Sequence, residues 1–220
     1  MMTPVGIAFS CPSCSSPLVF KTEYSLAQVC PTCFTINRKI RVEGAGIQKA
    51  EPVREELSIL QIGATGSYQN EAFEVIGRIQ YFLIESYRNH WYILYSNGKT
   101  GWLGDWAGNY SLFLESSYTG LEPVIEPVVG GTLALLQSSL EIEVIDIEVI
   151  DKVKSIYWEG EVPDQGLLEK NFTSIGLFNT SGQMGIIHTS GVGVPHAYLG
   201  KYVELQELTL KNTRVHHEWL

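Results

Sequence analysis

Two short motifs constrain this chain more than anything else in it: Cys11-Pro12-Ser13-Cys14 and, after fifteen intervening residues, Cys30-Pro31-Thr32-Cys33. A Cys-x-x-Cys turn aims two thiolates at one ion, and zinc takes four such soft ligands in a closed tetrahedron. The intervening length is what a short hairpin needs to carry the second turn back onto the first. The spacing therefore predicts a zinc ribbon over 1–43 in which Cys11, Cys14, Cys30 and Cys33 hold one structural Zn2+, with strands within 16–22 and 24–29. Two disulfides or a redox pair are the competing readings. A cytosolic setting disfavours the first, and two matched pairs with no βαβ pattern nearby disfavour the second.

The position after the second cysteine of such a turn commonly carries glycine, because the backbone there turns left-handed; here it carries Ser15 and Phe34. A phenylalanine forced into that conformation costs about 1–2 kcal/mol. Structural zinc contributes on the order of 10 kcal/mol, so the ribbon tolerates the strain. Four sulfurs leave no open coordination position, so a metal held this way supports a fold and performs no chemistry.

Beyond the ribbon, Gly44 to Leu57 carry two glycines, Pro52 and mixed charges and read as a linker with room for one short helical turn. From Ile59 the texture changes to β-branched and aromatic residues broken by turn dipeptides, which predicts a mainly β protein with no long helix. Trp91 to Leu103 is the clearest hairpin, with Asn97-Gly98 expected to form a type I′ turn. Phe73 to Tyr87 reads as one long extended stretch and Tyr110 to Leu114 as a closing strand, giving about five strands in sixty residues. A related pattern recurs at Gly176 to Ile187, consistent with a duplication. The expected organisation is a first small barrel or sheet at 58–118, a connector at 119–131, a related second unit at 132–212 and a tail at 213–220. With 45% hydrophobic residues in 220, the chain can bury a core in each. The ribbon is too small to fold on a hydrophobic core alone, so it is expected to depend on metal while the body folds without it.

No apolar run approaches the length of a membrane helix, and Met1 to Ser10 lacks the basic start and apolar centre of a secretory signal, so a cytoplasmic protein is expected. Residues 1–50 carry five Lys/Arg against two acids, and residues 51–220 ten against twenty-two. Such an acidic body repels phosphate backbones, which leaves only the head to meet nucleic acid. Arg38, Lys39 and Arg41 would form its basic edge, a small one that lacks interleaved aromatics. The sequence Ile142-Glu143-Val144-Ile145-Asp146 is repeated at once as Ile147-Glu148-Val149-Ile150-Asp151. A period of five fits a flat strand poorly, so bulges are expected near Val144/Ile145 and Val149/Ile150. These acids read as guards against sheet-edge pairing in preference to a cation site.

A search for catalysis finds little. Gly63 to Ser67 and Gly98 to Gly104 contain glycines but no phosphate-loop lysine, and no helix opens there. His196, after Pro195 in a glycine-rich loop, is the one candidate acid-base group, for an enzyme that would pair it with nearby carboxylates; no cysteine or marked serine joins it. The non-enzymatic reading is favoured. Trp102 and Trp106, four residues apart among glycines, are the candidate partner surface, Trp106 first, because exposed aromatics anchor interfaces. The expected partner is another protein, through which any peripheral membrane association would run.

The two-knuckle ribbon, Phe73-Glu74-Val75-Ile76-Gly77-Arg78-Ile79, His90-Trp91-Tyr92-Ile93-Leu94-Tyr95 leading to Gly98 and Trp102-Leu103, and Gly160-Glu161-Val162-Pro163 together resemble the bacterial family called domain of unknown function 4178. The resemblance spans nearly the whole chain. It implies a bacterial origin and a link to envelope-stress proteins of the phage-shock type and to polyamine synthesis enzymes, with no assigned activity. The serine and phenylalanine after the second cysteines depart from the glycines usual there.

Overall fold

The computed structural model describes residues 6–40, 46–54, 57–83, 86–118, 128–136, 142–163, 173–189 and 195–215. The β-prone runs become strands, and a single 3-10 turn, Leu205–Leu208, is the only helix among the described residues. The head supplies four three-residue strands, β1 (Ala8–Ser10), β2 (Pro17–Val19), β3 (Ala27–Val29) and β4 (Ile36–Arg38). Five strands then follow, the number expected although no strand was read at the first of them: β5 (Thr65–Tyr68), β6 (Glu71–Phe82), β7 (Tyr87–Tyr95), β8 (Thr100–Trp106) and β9 (Asn109–Tyr118). The rest is β10 (Thr132–Leu136), β11 (Ile142–Lys152), β12 (Ser155–Val162), β13 (Thr173–Phe178), β14 (Gln183–Thr189) and β15 (His196–Val203). The stretch read as continuous from Phe73 to Tyr87 breaks near Leu83, whose amide donates to Ser86 O at 2.9 Å.

One sheet takes in all of these except β1 and β2, which pair only with each other. Its order is β10-β11-β13-β14-β15-β9-β8-β7-β6-β12-β3-β4, with β5 paired to β6. A short pairing of β10 back to β9, Leu135 with Tyr118 and Leu136 with Ser117, curls the sheet towards its own middle without closing it into a barrel. The small barrels entertained from the sequence are therefore replaced by one curled sheet. The expected division at 118 and 132 is also not where the sheet divides. β12, from the second segment, lies between β6 and β3, and β15 lies against β9. Hairpins are written locally in a sequence, whereas a pairing between strands some eighty residues apart has no local signal.

Two turns depart from expectation for a geometric reason. Asn97 has no positive φ; Gly98 alone does (83°), Tyr95 N donates to Lys99 O and Gly98 N to Tyr95 O, both at 2.9 Å. That is a three-residue loop ending in a left-handed glycine, the G1-bulge form. Two successive positive φ values, as a type I′ turn requires, fall instead at Gln69 (49°) and Asn70 (68°), in the two-residue link from Tyr68 to Glu71, and at Ala107 (51°) and Gly108 (81°), in the link from Trp106 to Asn109. The β13–β14 hairpin repeats the first loop: Asn179 N donates to Gln183 O, Gly182 N to Asn179 O, and Gly182 has φ 83°. The resemblance of the two hairpins thus extends to their turns. In β11 the register against β13 shifts once, between Ile147 and Val149, and pairing with β10 is regular from Ile142 to Asp146. One irregularity, at Glu148, replaces the two expected bulges.

The sheet is covered on both faces, so β7 reads as an unbroken buried run from Asn89 to Ile93. Trp91 and Ile93 pack on one face with Leu60, Ala64 and Leu208, which come from the segments before β5 and after β15. On the other face Tyr92 and Trp102 share a cluster with Ile186 and Tyr198 and with Ala27 and Val29 of the head. The head is therefore part of the body's core and not a separate bead. The segment expected as a linker is tied down too. Lys49 bridges Thr35, and Arg54 N donates to Gln80 Oε1 at 2.7 Å while Gln80 Nε2 donates to Arg54 O at 3.2 Å. No helical turn forms in its described part, 46–54 and 57.

Candidate metal centre and partner surface

Each Cys-x-x-Cys motif forms the same backbone knuckle. Ser15 N donates to Cys11 O and Phe34 N to Cys30 O, both at 2.9 Å; Cys11 N and Cys30 N donate the closing bonds to Ser16 O and Thr35 O, also at 2.9 Å. These loops require a left-handed residue after the second cysteine, and Ser15 (φ 62°) and Phe34 (φ 59°) adopt it without being glycine. A chain accepts such strain where a stronger interaction over-determines the loop.

That interaction is available at the four sulfurs. Cys11 Sγ lies 3.6 Å from Cys33 Sγ and Cys14 Sγ 3.6 Å from Cys30 Sγ, and all four sulfurs fall within 4.8 Å of one another. Bonds of about 2.3 Å from one ion to four sulfurs place them roughly 3.8 Å apart along the edges of a tetrahedron. Disulfides, at about 2.05 Å, do not describe these separations, and the four thiols are free. The donor set thus fits one four-coordinate metal ion, and no other group of three or more His, Cys, Asp or Glu among the described residues is placed to hold one.

A second layer escaped the sequence reading although its signal was there. Ser16 Oγ lies 3.3 Å from Cys14 Sγ and Thr35 Oγ1 lies 3.2 Å from Cys33 Sγ, so a hydroxyl stands two residues after each second cysteine and can donate to its thiolate. The Thr35 hydroxyl, followed by the Thr35 amide, lowers the Cys33 thiol to about 6.

The centre is joined to the sheet through β3 and β12. Val29, Gln28 and Ala27 pair with Gly160, Glu161 and Val162, and the preceding part of β12 pairs with β6, Gly160 opposite Gly77 and Glu159 opposite Arg78. The stretches Val75-Ile76-Gly77-Arg78 and Gly160-Glu161-Val162-Pro163 therefore meet at one junction. Neither glycine has room for a side chain. A Cβ on Gly77 would overlap the Glu161 carbonyl, and one on Gly160 (φ 68°) would stand 2.5 Å from Ile76 O. Arg78 is 1% exposed, and its Nε and Nη2 donate to Asn89 Oδ1 at 3.0 and 2.7 Å with the guanidinium over the Trp91 ring.

The proposed basic edge is not assembled. Lys39 is 1% exposed; its ammonium donates to Thr22 O and Glu23 O at 3.1 Å and lies over the Phe20 ring. Burial lowers its pKa, against the opposing pull of Glu161 and Glu23. Lys39, directly after β4, continues the strand's alternation and faces inward, and a run of basic letters does not reveal which of them point out. Arg38 is half-buried and donates to Gln48 Oε1 at 3.3 Å, and Arg41 lies outside the described residues.

The tryptophan pair separates in the same way. Trp102 is 6% exposed and packs against Tyr92, so it is core and not surface. Trp106 is 44% exposed at the end of β8, with the Arg88 guanidinium 4.5 Å from its ring centroid. The sequence search missed Arg88, which lies eighteen positions earlier. His196 opens β15 opposite His188, while the loop 191–194 lies outside the described residues. The groups that depress His188, after burial itself, are His90, His196 and Arg88, all potential cations.

The fold and centre define a class: a mainly β chain with an N-terminal four-cysteine knuckle pair that could hold a metal ion. No family model, curated protein or solved structure matches the chain. No helix among the described residues is long and apolar enough to cross a membrane.

Proposed function

We propose that this chain is a non-enzymatic interaction protein whose four cysteines bind one structural zinc ion and whose protein partner meets the hairpin tip carrying Trp106. The observation that carries the reading is Trp106 itself, a large ring left 44% exposed and held in place by Arg88 on a tight two-residue turn. Indole and guanidinium groups are the side chains most enriched among interface anchors. Zinc is favoured over other ions because four thiolates in a closed tetrahedron match its preferences and leave no site for substrate. The resemblance to the domain of unknown function 4178 family indicates where to seek the partner, among bacterial envelope-stress proteins and polyamine-related enzymes of the cytoplasm.

Affinity purification from the native host, with wild type and Trp106→Ala compared side by side, tests the partner surface. Loss of a specific partner in the variant is expected, and retention of every partner refutes it. Elemental analysis of the purified protein should find one zinc per chain, and less than a tenth of that in Cys11→Ser/Cys33→Ser; iron in place of zinc would refute the assignment of the metal.

A further inference from the structure

The curl of the sheet carries the β5–β6 hairpin over β15, so that the Lys201 ammonium stands 4.9 Å from the centroid of the Tyr68 ring although four strands lie between β5 and β15. A cleft of about 470 Å³ is left between them. Strand alternation decides its floor. Leu103 pairs with Trp91 on one side and Leu112 on the other, Leu112 with Lys201, and Leu114 with Leu199. Leu112, Leu114, Leu199 and Lys201 therefore share the face of Trp91 and Ile93, at the margin of that core where Tyr68 and Tyr95 pack half-buried. Gly101, opposite Ile93, places no side chain there, so the Tyr95 ring and Leu114 close to 3.2 and 3.3 Å from where its Cβ would stand. The result is a continuous apolar floor in which Leu114 is left 51% exposed.

The polar groups around this floor are mostly donors. Lys99 and Lys201 both line the cleft, and neither has an acidic partner within ion-pair distance among the described residues. Burial, with Glu71 and Tyr68 adding to it, raises the Tyr95 pKa, so its hydroxyl keeps its proton and can donate. Gln183 Oε1 accepts from Asn179 Nδ2 at 2.6 Å, which leaves the Gln183 amide group to donate. Glu71 is the one carboxylate among the described lining residues, and its Oε2 accepts from Asn97 Nδ2 at 3.2 Å. An apolar floor between two tyrosine rings, edged by donors in excess of acceptors, suits a flat body that carries an acceptor-rich anion.

We infer that this cleft is a binding site for a flat-ringed phosphate monoester, its ring on the leucine floor beside Tyr68 and Tyr95 and its phosphate met by Lys99 and Lys201. A phosphate fits better than a carboxylate, because a charge of about −1.5 to −2 and three acceptor oxygens engage both ammonium groups and the remaining donors. A cationic ligand is a poor match, with two ammonium groups against Glu71 alone. The acidity of the body as a whole does not oppose this, since the lining itself carries two cations and one carboxylate. The cleft shares no residue with the Trp106 tip, so the site stands apart from the partner reading.

The test uses 2-naphthyl phosphate, 2-naphthol and inorganic phosphate as probes on the full, metal-loaded chain at low salt. Calorimetry should give one naphthyl phosphate per chain, at least tenfold tighter than either of the other two, with nuclear magnetic resonance shifts at the Gly98, Gly101, Leu114 and Gly200 amides. Lys99→Gln and Lys201→Gln, both at exposed positions, should each weaken naphthyl phosphate at least threefold and leave naphthol unchanged. Naphthol bound as tightly as naphthyl phosphate would leave the anion without a role, and inorganic phosphate bound as tightly would leave the floor without one. Either result overturns the inference, as do absence of binding at millimolar naphthyl phosphate, shifts that map elsewhere on the chain, or lysine variants that bind like wild type.

Discussion

Replacing Gly77 with alanine tests the junction between β6 and β12 at a single atom. The added Cβ would stand 2.7 Å from the Glu161 carbonyl carbon and 3.2 Å from its nitrogen, and would overlap the carbonyl oxygen outright. Ordinary contact requires roughly 3.6 Å, so the two backbones must part by about 1 Å or more, and no flexible side chain can yield in their place. The ladder on either side, Gly160 with Gly77 and Glu159 with Arg78, then loosens. Overpacking costs about 1–3 kcal/mol and each weakened buried hydrogen bond about 1 kcal/mol more, which gives a loss of roughly 3–5 kcal/mol. Urea unfolding followed by tryptophan fluorescence measures it directly. Gly98→Ala is the control: it meets nothing within 4 Å, and its left-handed φ of 83° costs only about 1–2 kcal/mol. If Gly77→Ala lost less than Gly98→Ala, the close approach of these strands would not be what fixes glycine there.

Three further outcomes follow from the same geometry. His90 and His188 are buried and stacked 6.0 Å apart, and both titrate below their ordinary value of 6.5, mainly through burial. The unfolded chain therefore takes up protons first: their contribution to stability is complete above pH 6.5 and declines as the pH falls, for His90 down to its folded value of about 3. For His90 the loss by pH 5 is about 2 kcal/mol, and denaturation series between pH 7.5 and 5 should show a shallower decline for His90→Gln than for wild type, an equal decline counting against the account. Chelation should expose β1 and β2 to hydrogen exchange first, because they pair only with each other, while β3 stays protected by β12; simultaneous exposure of all four head strands would contradict this. Arg78→Lys keeps the charge but loses the two donors to Asn89 and the stack on Trp91, and should cost about 2–4 kcal/mol in the same urea assay; a cost under 1 kcal/mol would mean that the guanidinium does not organise that layer.

The sequence by itself determined what is local. The two Cys-x-x-Cys knuckles, the left-handed demand on Ser15 and Phe34, the strands from β6 to β9 and the near absence of helix were all legible, because each depends on residues a few positions apart. Two of the stretches that carried the family resemblance, those around Gly77 and Gly160, were visible as motifs, but their reason was not: they face each other across a ladder between distant strands. Only the tertiary structure decided that β12 ties the head to the body, that Lys39 and Trp102 are buried while Trp106 is exposed, and that Arg88 joins Trp106. The physical reason is common to all of them. A strand's alternation states which residues share a face, but what covers that face depends on long-range pairing and on the curl of the sheet, neither of which leaves a trace in neighbouring residues.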